Sequence, residues 1–182
     1  DHPWFRSWEP PVVLGVGRLT PAKDFPTLIR AFATVRARRR AHLLILGEGE
    51  ERSTLEALVK SLGLEGDVLL PGFVKNPFCY ARASALFVLS SRWEGFGNVL
   101  AEAMACGTPV VSTDCPSGPA EILEGGRWGS LVPVGDETAL AETILSHLDS
   151  GTLPGMVESV TARFHEDGIV AQYLDVLIGR GQ

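Results

Sequence analysis

Six short apolar runs, at 12–16, 43–46, 68–70, 86–89, 110–112 and 131–132, recur along the chain, and helical patterns lie between most of them. Runs this short, rich in Val, Ile and Leu and separated by helices, predict parallel strands joined by helical crossovers. The expected fold is an open α/β parallel sheet of about six strands with helices on both faces. The helices show their faces: Leu28, Ile29, Phe32 and Val35 form one stripe, and Leu55, Leu58, Val59 and Leu62 a second. Leu140, Ile144 and Leu148 form a third, and Ile169, Tyr173, Leu174 and Leu177 a fourth. That spacing is core-facing. At 182 residues, 45% of them hydrophobic, the chain can bury one sizeable core.

Charge and cysteine usage narrow the function classes. With a net charge of −6 the domain is a poor match for nucleic acid or anionic lipid, so any anion must be bound locally. The one basic run, Arg36 to Arg40, reads as a solvated helix end, where cations suit the dipole. Cys79, Cys106 and Cys115 have no metal-ligand spacing, and Cys106 is expected to be buried in an apolar helix. A reduced, cytoplasmic compartment is expected. No apolar stretch approaches the length of a membrane span. Residues 1–11, with Pro10 and Pro11, and residues 150–155 read as linkers.

In open parallel sheets, ligands bind beyond the carboxyl ends of the strands. The first run leads into Gly15, Val16, Gly17, Arg18 and Leu19, followed by Lys23 and a helix starting near Asp24. Two cations at a strand-end rim suit a diphosphate; surface cations on an exposed turn are the alternative. A dinucleotide fingerprint fails twice, with Thr20 and Arg52 where the third glycine belongs, and no P-loop sequence is present. The acidic turn Gly47, Glu48, Gly49, Glu50 and Glu51 reads as a strand-to-helix connection lining the cleft. The fourth run leads into Ser90, Ser91, Arg92, Trp93, Glu94, Gly95, Phe96, Gly97 and Asn98, then a helix from Val99 to Cys106 stopped by Gly107 and Pro109. Glu94 in the loop and Glu102 on the helix can reach different hydroxyl pairs of a sugar-bearing ligand. A helix N-terminal carboxylate and a surface helix residue are the competing readings.

These segments occur together. The Gly17-Arg18 loop with Lys23, the turn Pro71-Gly72-Phe73-Val74, the Glu94-x7-Glu102 pair and Gly107-Thr108-Pro109 closely resemble the C-terminal domain of family 4 retaining glycosyltransferases, over about 12–148. The resemblance implies one Rossmann-like half of a GT-B fold. It implies residues 1–11 as a linker from an N-terminal acceptor domain and 12–182 as the donor domain. Its catalytic set would be Glu94, Arg18 and Lys23, with the cations on the donor diphosphate and Glu94 positioning sugar hydroxyls. Glu102 would hold the ribose. Gly17, Val74 and the amides of Gly95, Phe96, Gly97, Val99 and Leu100 would complete the donor site, Val74 reading the base edge.

No metal and no other cofactor is expected. The implied partners are a nucleotide-diphosphate sugar, UDP-sugar first, and the acceptor domain, with no nucleic acid. The whole protein would transfer a hexose or N-acetylhexosamine in glycan assembly, from the cytoplasm or the inner membrane face. A non-catalytic nucleotide-sugar module or split-enzyme subunit is the alternative. The loop Asp114-Cys115-Pro116-Ser117-Gly118-Pro119 resembles the N-acetylhexosamine-transferase branch, although an ordinary Pro-rich strand-to-helix loop accounts for it equally.

Overall fold

A computed structural model describes residues 10–150 and 156–157. The strands are β1 (Val12–Val16), β2 (His42–Leu46), β3 (Val68–Gly72), β4 (Leu86–Leu89), β5 (Val110–Thr113) and β6 (Ser130–Val132). All pair in parallel in the order β3-β2-β1-β4-β5-β6. The six expected strands are therefore present, each crossed over by a helix: α1 (Phe25–Arg38), α2 (Arg52–Ser61), α3 (Phe78–Ala83), α4 (Asn98–Ala105) and α5 (Pro119–Ile122), with α6 (Glu137–Ser150) following β6.

Alternation along each strand divides the core in two. Val13, Leu43 and Ile45 pack with Leu28, Ile29, Phe32, Leu55, Leu140 and Ile144, beneath α1, α2 and α6. Val12, Leu14, Leu44 and Leu46 pack with Leu100, Ala103, Met104 and Ile122, beneath α4 and α5. Successive strand residues face opposite layers and both layers are covered. That is why the strands read as unbroken apolar runs. No helix among the described residues is long and apolar enough to cross a membrane.

Several expectations are refined. Leu62 is 40% exposed beyond the end of α2 and does not join its core stripe. Cys106 follows α4 and is only half-buried, because the helix ends before it. Ser150 closes α6 and is not a linker residue. Residues 1–9 and 151–155, and the stripe at Ile169, Tyr173, Leu174 and Leu177, lie outside the described residues. The basic run is tied down: Arg36 pairs with Asp67 at 2.8 Å, Arg38 with Glu142 at 2.6 Å and Arg39 with Asp149 at 2.5 Å. Arg38 at the end of α1 and Arg39 just beyond it thereby tie that end of the helix to α6. Helix α3 carries no readable period because six residues are too few to show one, and α5, at the end of the Pro-rich strand-to-helix loop, is only four residues long.

The loops at the carboxyl edge rest directly on one another's backbone, and glycine makes this possible. A Cβ on Gly47, at φ +146°, would lie 1.9 Å from the carbonyl oxygen of Gly17. On Gly118, at φ +97°, it would lie 1.7 Å from that of Phe96. Gly118→Ala therefore combines a backbone clash with an unfavourable φ and should cost about 1–3 kcal/mol, lowering Tm by at least about 3 °C. Gly66, with no atom within 4 Å of an added Cβ, is the control. Equal Tm for Gly118→Ala and Gly66→Ala in a thermal melt would show that the two loops are not locked together.

A charged crevice at the β1–β4 junction

Strand order reverses at β1, which pairs with β2 on one side and β4 on the other. The loops leaving β1 and β4 therefore diverge, and the crevice between them is where an open parallel sheet takes ligands. Here they are sewn together. The Ser90 hydroxyl donates to the Lys23 carbonyl at 2.8 Å, and the Arg92 amide to the Ala22 carbonyl at 2.8 Å. The Lys23 ammonium meets Glu94 Oε1 at 2.5 Å. The buried Ser91 hydroxyl donates to that same oxygen, also at 2.5 Å. Thr113, at the end of β5, supports this from below by donating to the Ser91 carbonyl at 2.6 Å.

Several of the anticipated residues have a structural reason for their position. Lys23 ends a single 3-10 turn, Pro21–Lys23, and its stem lies across Gly17: a Cβ there would stand 3.0 Å from Lys23 Cε. Gly17 thus makes room for the lysine. Arg18 is exposed. Gly97, at φ +89°, turns the chain into α4, and Gly95 is open, with nothing within 4 Å of an added Cβ. Phe96 is half-buried against the α4 core and fixed by Gly118 beneath its carbonyl. The Leu100 amide donates to the Gly97 carbonyl at 2.8 Å and Leu100 is fully buried, so this amide closes the first turn of α4 and is not presented to a ligand. Val99, half-buried, borders the crevice instead.

A cleft of about 580 Å³ opens at the ends of β1, β2 and β3, lined by Gly17, Arg18, Glu48, Val74 and Lys75 among others. It adjoins a shallow hollow where Glu102, Val99 and Phe78 meet, the two sharing Val16 and Pro77. Arg18 and Val74 thus line the cleft and Glu102 the neighbouring hollow, while Lys23 lies against Gly17 and holds Glu94. A larger hollow, of about 940 Å³, lies among Pro10, Arg38, Arg39 and Glu142 at the other edge of the sheet. Its Arg38 and Arg39 are already paired, and it is remote from the strand carboxyl ends. Among the described residues no three His, Cys, Asp or Glu side chains converge as metal ligands.

Residues 10–150 match the family described as glycosyl transferases group 1, and the chain belongs to that family. It is 41% identical over 141 residues to an N-acetylgalactosaminyltransferase of Campylobacter jejuni that acts on a diphospho-undecaprenol-linked sugar, covering 78% of this chain and 38% of the relative. It is 34% identical to the lipopolysaccharide core biosynthesis glycosyltransferase LpsE of Rhizobium meliloti, covering 93% of this chain and 50% of the relative. The Anabaena protein HepE, solved with UDP and glucose, superposes with a TM-score of 0.78 at 28% identity, covering 92% of this chain and 48% of HepE. The fold is that of one Rossmann-like half of a GT-B glycosyltransferase, and the chain spans about half the length, or less, of these relatives.

Sequence reasoning did not single out Ser90, Ser91 or Thr113 as site residues; the signal available was a pair of hydroxyls directly after an apolar strand. It also passed over a charged group beside the crevice. Asp24, buried and held at φ +46°, faces Arg92 Nε at 3.1 Å, at an angle that makes an ion pair without a hydrogen bond. Glu51 stands nearby with a buried Oε2 that accepts no hydrogen bond. Burial, then the charges of Glu50 and Asp24, raise its carboxyl above the ordinary value, against a smaller opposing effect of Arg92. A raised acid contributes most to stability when protonated and less as pH rises through its folded-state pKa. Glu51→Gln should therefore raise Tm at pH 7, with the gain vanishing as pH falls below the ordinary value of 4.5. A gain independent of pH, or a loss at pH 7, in paired melts would contradict that account.

Proposed function

We propose that this chain is the donor-binding half of a retaining glycosyltransferase that uses a UDP-sugar. The observation that carries the reading is the meeting of Lys23 and Glu94 at the β1–β4 junction, with Arg18 on the cleft beside it and Glu102 on the neighbouring hollow. A nucleoside diphosphate sugar needs both kinds of group in that order: cations for the diphosphate, and carboxylates for hydroxyls on either side of it. HepE, solved with UDP and glucose, supports UDP as the carrier and a hexose as the sugar, and the N-acetylgalactosaminyltransferase supports an N-acetylhexosamine.

On this reading Arg18 and Lys23 meet the charge that builds on the departing diphosphate, with the amino end of α4 adding its dipole. These groups are oriented before the bond breaks, so no metal is required. Glu94 accepts the sugar's hydroxyl hydrogens and fixes the anomeric carbon; it acts by positioning, and retention follows from attack on the face the diphosphate leaves. Glu102 accepts from the ribose diol, and the Val74 backbone meets the base. The acceptor is held by a further portion of the protein, as the greater length of the relatives suggests.

Calorimetry in the presence of EDTA should detect binding of UDP and of UDP-N-acetylglucosamine or UDP-N-acetylgalactosamine; strict dependence on added magnesium or manganese would overturn the metal-free site. Glu102→Gln should weaken UDP and the UDP-sugar by a similar factor, about tenfold or more, because both carry the ribose and the lost bond is to a charged group. A loss confined to one of the two ligands would remove Glu102 from the ribose.

A further inference from the structure

Lys23 and Glu94 neutralise each other at the β1–β4 junction. Lys23 and Glu94 are 19% and 10% exposed, so their attraction is screened less than that of a surface pair. Both the Lys23 ammonium and the Ser91 hydroxyl converge on Oε1, so the carboxylate is held by two donors of this chain. The lysine stem lies over Gly17 and its carbonyl is clamped by Ser90, which restricts how the ammonium can be redirected. A phosphate that draws the ammonium away strips Glu94 of its counter-charge in a half-buried place. A free sugar that occupies the carboxylate loosens its hold on the lysine without supplying an anion.

We propose that the Lys23–Glu94 ion pair is a specificity device: it handicaps ligands that engage only one of its members and favours a ligand that brings diphosphate and sugar hydroxyls together. The inference rests on the donor-site reading above and goes beyond it. The bare nucleotide must open the pair and leave Glu94 facing added negative charge, whereas the sugar nucleotide replaces both contacts. The site thereby discriminates against spent UDP without a separate element to expel it.

The test is a double-mutant cycle on nucleotide affinity, measured by calorimetry on the 182-residue chain after each variant's melt confirms folding. If Glu94 served only the sugar, Glu94→Gln would leave UDP binding unchanged. With the pair as a handicap, Glu94→Gln should tighten UDP by roughly two- to fivefold while weakening UDP-N-acetylglucosamine or its galacto epimer by about tenfold or more. In a Lys23→Ala background the tightening of UDP by Glu94→Gln should disappear, since no ammonium remains to be released. Persistence of the full gain in that background would mean simple repulsion between Glu94 and phosphate, and would overturn the proposal. Unchanged UDP affinity with a weakened sugar nucleotide would also overturn it while leaving the donor-site reading intact. Equal weakening of both ligands by Glu94→Gln would defeat the donor-site reading as well. Glu94→Ala provides the same comparison should the glutamine variant melt early.

Discussion

The parallel pairing of β1 with β4 is the constraint on which the site depends. Val13 and Leu14 lie in register with Leu86 and Phe87, and the two loops that leave this pair travel in opposite directions across the sheet. Left alone, two such loops would splay. Ser90, Arg92 and Glu94 from the second instead reach Lys23, Ala22 and Lys23 again from the first. Three contacts of different chemistry, hydroxyl to carbonyl, amide to carbonyl and ammonium to carboxylate, fix one geometry. Long-range hydrogen bonds between half-buried groups hold the two loops together within the fold.

The neighbouring loops are set in turn from this pair. On one side Gly47 and Gly49 let the β2 loop lie on the backbone of Gly17 and Leu19, where Leu19 donates to Glu48 at 2.9 Å and accepts from Glu51 at 3.1 Å. On the other, Gly118 and Thr113 bring the β5 loop beneath Phe96 and Ser91. The same arrangement accounts for two readings of glycine that the sequence invites. Gly47 and Gly49 are spaced like a phosphate loop, yet their missing side chains make room for protein backbone. Gly95 has open space around it, and there a ligand can approach.

Local charge runs against the whole. A domain with a net charge of −6 presents Arg18 and Lys23 at the one rim where strands end, and it holds Glu94 beside Lys23. One acidic residue of the second loop is occupied elsewhere: Glu48 is gripped by Arg52 at 2.6 and 2.7 Å, which lowers its carboxyl below the ordinary range. Arg52 also donates to the Leu70 carbonyl at 3.1 Å, so the Glu48–Arg52 pair ties the start of α2 to β3.

The sequence by itself determined the six strands, the longer helices and the candidate carboxylates and cations. Apolar period and glycine-bearing strand ends are local properties that survive without tertiary context. It could not determine α3, whose few residues carry no period, nor that Leu62 would stay exposed, nor that the Leu100 amide would be spent on Gly97. Above all, Lys23 and Glu94 lie 71 positions apart, and nothing local states that one oxygen of Glu94 will receive both an ammonium and the Ser91 hydroxyl. Strand order decided that, because only the β1–β4 pairing brings those loops within reach, and pairing between distant strands is a property of the assembled sheet.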